Sequence, residues 1–169
     1  MREIHTFAPV YDERSETLIL GSFPSVKSRE EGFYYGHPRN RFWRVLAAVY
    51  GTDVPQTVAE KRAFLLERKL ALWDVIESCE IVGSGDASIR SAVPNDLRVI
   101  VSVAPIRRVF ANGRTAEQLY RRFQQSVTLI PAVGLPSTSP ANAAWTVERL
   151  AEAWQVVCAE NCKETVAMV

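Results

Sequence analysis

Short apolar runs alternate along the chain with stretches whose apolar residues recur at helical spacing. That alternation predicts an α/β protein with a mostly parallel sheet. Thr17-Leu18-Ile19-Leu20 reads as a buried strand over 17–21, and Leu70 to Ile76 as a second. Arg107 to Gly113 and Val127-Thr128-Leu129-Ile130 read as the third and fourth, the last ending at Pro131. Between them, helices are expected from Asn40 to Tyr50 with Gly51 as the stop, over 57–68, over 114–124 and from Ala143 to Cys158. Leu97 to Ala104 is ambiguous by periodicity and is read as a helix opened by Pro94-Asn95-Asp96 and ended by Pro105. The polar connection 77–95 reads as a long loop, which inside a compact domain is usually functional. The sum is a single three-layer α/β/α domain over 1–169, with a central, mostly parallel four-stranded sheet.

Two interruptions of the pattern carry more polar and special residues than a core needs. Gly21-Ser22-Phe23-Pro24-Ser25 follows the first strand and runs on to Tyr34-Tyr35-Gly36-His37-Pro38-Arg39-Asn40-Arg41-Phe42-Trp43. Gly134-Leu135-Pro136-Ser137-Thr138-Ser139-Pro140-Ala141-Asn142 follows the fourth. In an open parallel sheet the carboxyl ends of the strands share one rim, so both loops are expected to face one site. From spacing alone Asn40 reads as a helix N-cap, and Ser137, Thr138 and Ser139 as turn formers. Phe42 and Trp43 read as core, His37 as a loop brace or a site residue, and Asn112-Gly113 as a strand-end turn.

At 169 residues, with 47% hydrophobic and 23% charged positions, the composition is that of an ordinary globular protein. A net charge of +1 excludes a strongly basic protein that coats nucleic acid by charge alone, but leaves room for a local basic face. No apolar run approaches the ~20 residues of a membrane helix, and Met1 to His5 lacks the apolar core of a signal peptide, so a cytoplasmic protein is expected. Cys79, Cys158 and Cys162 form no paired framework, and with His5 and His37 far apart in sequence no metal site is expected.

The segments Gly21 to Ser25, Tyr35 to Trp43 and Leu135 to Asn142 together resemble the uracil-DNA glycosylase superfamily, in particular its hypoxanthine-DNA (deoxyinosine) glycosylase branch, family 6. His37-Pro38-Arg39-Asn40-Arg41-Phe42-Trp43 is also similar to the mismatch-specific uracil glycosylases. Leu72 to Cys79 and Val93 to Asp96 match the deoxyinosine branch as well. The likeness implies a monofunctional, water-using enzyme that removes a deaminated base flipped out of DNA, with no cofactor, no lysine Schiff base and action as a monomer. It implies Asn40 as the catalytic residue and Gly21, Ser22, Phe23, Pro24, Tyr35 and His37 as the base pocket, with Tyr35 stacking on the base. DNA contacts are implied for Ser25, Arg39, Arg41, Leu135, Pro136, Ser137, Thr138, Ser139 and Asn142. The chain departs from the mismatch-specific pattern at Phe23, which stands where those enzymes carry an Asn, and Gly21 to Ser25 holds no carboxylate. Two readings therefore stand beside the first: a uracil- or xanthine-directed enzyme, and an inactive module that binds DNA or a nucleotide. A serine hydrolase does not fit, because Gly21 to Ser25 is not Gly-x-Ser-x-Gly and His37 falls too early for a triad.

Overall fold

The computed structural model describes residues 2–158. In chain order the elements are β1 (Arg2–Ile4), β2 (Thr17–Gly21), α1 (Val26–Glu31), α2 (Phe42–Tyr50) and α3 (Val58–Glu67). Then come β3 (Leu70–Asp74), β4 (Ile76–Glu80), a 3-10 turn (Asp86–Ser88), β5 (Arg90–Pro94) and α4 (Arg98–Val101). The chain continues through β6 (Arg108–Asn112), α5 (Arg114–Phe123), α6 (Gln125–Thr128), β7 (Ala132–Leu135) and α7 (Val147–Trp154).

The main sheet is four-stranded and parallel, in the order β3-β2-β6-β7. Every residue of β2 and β3 is buried, as expected for strands covered by helices on both faces. The register sets the rim where the strands end. Gly21 pairs with Asp74, and Asn112 pairs with Leu135. Four strand ends thus deliver Gly21, Asp74, Asn112 and Leu135 to one edge, with the loops after β2 and β7 on either side of the end of β6.

Local chemistry explains where the helices start. Thr57 and Glu60 close a capping box at the head of α3, Ser25 caps α1, and Thr146 caps α7. Gly51 ends α2 in the left-handed conformation that glycine adopts without a Cβ penalty.

The sequence expectations fail at three elements. Val127 to Ile130 is not the fourth strand: Gln125–Thr128 is helical and Leu129 takes φ 62° with 82% of its surface exposed. The strand that pairs with β6 begins after Pro131, as β7. The connection 77–95 is not structureless either. It holds β4 and β5, an antiparallel pair that joins β1 in a separate three-stranded sheet. The single strand expected over 70–76 is accordingly two, divided at Val75 between the parallel and the antiparallel sheet. Finally, α7 starts at Val147 rather than Ala143, because 141–144 belong to turns. The stretch Leu97 to Ala104 does contain a helix, the short α4. Cys162 lies outside the described residues.

Candidate active site

A cleft of about 880 Å³ opens along the sheet rim. Among its lining residues are Gly21 to Ser25, Tyr35, His37, Asn40, Asp74, Asp86, Asn112 and the loop from Leu135 to Asn142. The two loops singled out by sequence therefore do face each other.

Asn40 is fixed by its neighbours. Its Oδ1 accepts from the Phe42 N–H at 2.9 Å and from the Thr138 hydroxyl at 2.9 Å. With the oxygen occupied by two donors, the amide orientation follows, and the Nδ2 hydrogens are left for the cleft. Asn40 is not the N-cap of α2, a position held by Arg41 without a side-chain cap bond; its oxygen instead braces the turn into α2 through the Phe42 N–H, and the residue lines the cleft.

Thr138 links that amide to the sheet. Its hydroxyl accepts from Asn112 Nδ2 at 3.0 Å and its N–H donates to Asn112 Oδ1 at 3.1 Å. Asn112 Nδ2 also donates to the Tyr35 hydroxyl at 3.1 Å. A continuous hydrogen-bonded chain therefore runs Tyr35–Asn112–Thr138–Asn40. Asn112, which the sequence suggests only as a turn residue, is the node joining the two loops through the end of β6.

Tyr35 stacks on Phe42, with ring centroids 4.0 Å apart and planes 17° from parallel. Its φ of 54° is unusual for a side chain with a Cβ, and such strain is held where the surroundings over-determine it. Burial, and next the Asp74 carboxylate, push its phenol far above the ordinary range, so the hydroxyl keeps its proton. His37 Nδ1 accepts from the Arg39 N–H at 3.1 Å, which places the ring proton on Nε2. His37 thus braces the loop and lines the cleft at once.

Two carboxylates enter the site from stretches where no site residue is expected. Asp74 ends β3; its Oδ2 lies 2.8 Å from His5 Nε2, in a pair whose side chains are 2% and 5% exposed for histidine and aspartate. Asp86 sits on the 3-10 turn, where its Oδ1 accepts from the Ser22 hydroxyl at 2.7 Å. Asp86 meets solvent in the cleft, yet the surrounding chain removes enough water to push its carboxyl up. The Ser22 hydrogen bond opposes that rise and Asp74 adds to it. The sequence reading places Asp74 inside one strand over 70–76, and only the end of β3 at Asp74 puts it on the rim. Asp86 falls in the 77–95 stretch read as a functional loop, with nothing there singling it out.

Several residues expected to touch DNA have other tasks. Thr138 is fully buried and Leu135 is 6% exposed, packed in the core. Neither reaches a nucleic-acid surface. Arg41 directs its guanidinium to the carbonyls of Thr138, Ser139, Asn142 and Trp145, so it clamps the second loop rather than standing free for phosphate. Ser25 caps α1 by accepting from the Ser28 N–H. Phe23 is buried and faces the His5 ring edge-on at 6.3 Å, which suits a supporting role better than a base platform. By contrast Arg39 is exposed and has no side-chain partner among the described residues. Pro136, Ser137, Ser139 and Asn142 remain at least partly exposed along the cleft. The described residues contain no group of three or more His, Cys, Asp or Glu placed to hold a metal ion, and no helix long and apolar enough to cross a membrane.

The chain is 35% identical over 153 residues to a hypoxanthine DNA glycosylase of Methanosarcina acetivorans, covering 89% of this chain and 95% of that protein. It is 38% identical over 110 residues to a hypoxanthine DNA glycosylase of Methanosarcina barkeri, covering 64% and 70%. The solution NMR structure of a Methanosarcina acetivorans protein, provisionally assigned as a uracil DNA glycosylase, superposes with a TM-score of 0.78 at 33% identity, over 93% of this chain and 96% of that one. The family model that matches, over residues 8–158, is that of the uracil DNA glycosylases, and the chain belongs to the uracil DNA glycosylase superfamily.

Proposed function

We propose that the protein is a monofunctional DNA glycosylase that hydrolyses the N-glycosidic bond of hypoxanthine extruded from DNA and leaves an abasic site. The observation that carries this reading is the clamped amide of Asn40 in the cleft wall, whose oxygen is held by Phe42 and Thr138, which leaves the nitrogen's hydrogens for a ligand. An amide does not titrate, so Asn40 is no base; it is a donor aimed where a departing purine accumulates charge. Both similar curated proteins carry the name hypoxanthine DNA glycosylase, which favours the deaminated purine over uracil or xanthine.

The cleft suits a flipped base. A deaminated or mispaired base costs least to extrude, and Tyr35, backed by Phe42, offers it a rigid aromatic face worth ~1–3 kcal/mol of stacking. The N–H groups of Ser22 and Phe23 have no hydrogen-bond partner among the described residues. They suit O6 of hypoxanthine and oppose the amino group of adenine, a mismatch costing ~1–3 kcal/mol. Arg39 and the exposed part of the Pro136–Asn142 loop contact the DNA strand. The enzyme acts as a monomer.

The test is base release from duplexes holding one hypoxanthine, uracil or xanthine, with an undamaged control, in the presence of EDTA. Hypoxanthine is released fastest, and strand breaks form only after alkali. No release from any duplex by folded protein overturns the reading in favour of a binding module.

A further inference from the structure

Hydrolysis at C1′ needs a group to take the proton that the attacking water sheds, and Asn40 does not provide it. Phe23 occupies the place in the first loop where an amide or acid would stand, and it is buried. Among the other groups in the cleft, His37 uses Nδ1 to accept from the Arg39 N–H and carries its proton on Nε2, so it is a donor there. Glu117 pairs with Arg121 at 2.8 Å. Asp86 lies on the 3-10 turn and already accepts from Ser22.

Asp74 is differently placed. It is the residue in register with Gly21, so it stands on the neighbouring strand beside the start of the loop that lacks an acid. One oxygen, Oδ2, is held by His5 at 2.8 Å. The ring of His5 is itself gripped by Phe7 and Tyr34, at centroid distances of 4.5 and 6.0 Å. The other oxygen, Oδ1, has no hydrogen-bond partner among the described residues and lies over Gly21. A Cβ on that glycine would collide with it and approach the Tyr35 hydroxyl to 2.9 Å. Asp74 lines the cleft, and Oδ1 is not among the fully buried side-chain atoms left without a partner, so it is open to a water or ligand there.

We propose that Asp74 is a second catalytic residue, the carboxylate that binds the attacking water and receives its proton, and that His5 is its positioning residue. The inference rests on the glycosylase reading above. In the step, the C1′–N9 bond breaks and its electron pair leaves with the base, whose charge Asn40 Nδ2 meets by hydrogen bonding. The water oxygen bonds to C1′ and its proton passes to Asp74 Oδ1. The departing base takes one proton from solvent and Asp74 returns one, so only water is consumed. While ionised, Asp74 also lies near the cationic sugar of the transition state. The titratable groups facing it are His5 from the segment after β1, Tyr34 and Tyr35 from the loop before α2, and Asp86 from the 3-10 turn.

The experiment is single-turnover release of hypoxanthine from a duplex across pH, for wild type, Asp74→Asn, Asp86→Asn and His5→Phe, with duplex binding measured alongside. Asp74→Asn is expected to lose ~10²–10⁴-fold in rate while still binding the duplex, and to lose the fall in rate on the acid side. Asp86→Asn is expected to keep that acid limb. His5→Phe is expected to lower the rate and alter its pH profile while duplex binding is retained, since Oδ2 loses the partner that positions it. A rate for Asp74→Asn equal to wild type, or an acid limb abolished by Asp86→Asn, overturns the proposal. Should Asp74→Asn fail to fold, the limb in Asp86→Asn decides: persistence supports Asp74, loss overturns it. Wild type silent on every duplex overturns the glycosylase reading itself, a result distinct from a wild type that works and an Asp74 variant that works equally well.

Discussion

Thr138 has the most leverage of any side chain around Asn40 without meeting the cleft with its own exposed surface. Fully buried, it donates to Asn40 and accepts from Asn112. Thr138→Val keeps the shape but takes one acceptor from Asn112 Nδ2 and one of the two donors from Asn40 Oδ1. A stability loss of ~1–3 kcal/mol is expected by chemical denaturation, with a larger proportional loss in base release because Asn40 is no longer held with its nitrogen toward the cleft. Gly21 is as constrained for a steric reason. Gly21→Ala is expected to fold and to lose activity, since the added methyl meets Asp74 Oδ1 and the Tyr35 hydroxyl. Thermal melting and single-turnover kinetics on the same preparation separate the two effects.

Asp86 permits a test by pH. Its carboxyl is pushed up, by burial first and by Asp74 next, with the Ser22 hydrogen bond opposing. A carboxyl whose pKa is raised by folding destabilises the folded state once pH exceeds its unfolded value, because the fold then holds a charge it disfavours. Asp86→Asn, which still offers Ser22 an acceptor, is therefore expected to melt higher than wild type near neutral pH. The gap should close as pH falls to about 4, the ordinary carboxylate range. Parallel melts at the two pH values check this.

At the level of elements, the second loop is a shaped structure held at both ends. Arg41 fastens its carbonyls, and Trp154 Nε1 donates to the Pro136 carbonyl at 3.0 Å. Arg41→Lys keeps the charge but not the planar fork. A drop in melting temperature with unchanged salt dependence of DNA binding is expected. Arg39→Ala should do the reverse, reducing the slope of log affinity against log salt by about 1 while leaving stability alone.

The same elements show what the sequence made legible. The parallel sheet, the shared rim and the two facing loops followed from Leu18-Ile19-Leu20, Leu70-Ala71-Leu72 and the Gly/Pro/Ser punctuation, because buried strands are apolar throughout. Val127 to Ile130 misled because so short a run, three apolar residues and Thr128, fits a strand or a helical turn equally, and here Val127 and Leu129 face solvent. β4 and β5 were hidden because a half-exposed hairpin carries Glu77, Glu80 and Arg90 on its outer face. Within the site, types of residue were legible and their tasks were not. Arg41 and Thr138 sit in the right loops, but whether a guanidinium or hydroxyl meets DNA or the opposite loop depends on partners about 100 positions away. Asp74 and His5, 69 residues apart, become a pair only once β1 and β3 are placed.

Over the whole molecule, a net charge of +1 supplies no general basic field, so under the proposed function affinity for DNA is expected to rest on a few local contacts such as Arg39. Binding is therefore expected to weaken with salt on a shallow slope, while the chemical step, enclosed in the cleft, changes little. Rate at saturating enzyme and affinity, each followed across salt, separate the two. Recognition through an extruded base predicts in turn that discrimination between damaged and normal duplexes appears in the rate of release more than in affinity.

The central claim is that Asn40, with its oxygen pinned and its nitrogen in the cleft, stabilises the departing base. It is tested most directly by comparing wild type with Asn40→Ala in single-turnover release of hypoxanthine from duplex DNA, with folding and duplex binding confirmed for both. A loss of ~10²–10³-fold in rate, with the fold intact and DNA still bound, is the predicted result. Equal rates for the two proteins would contradict the account.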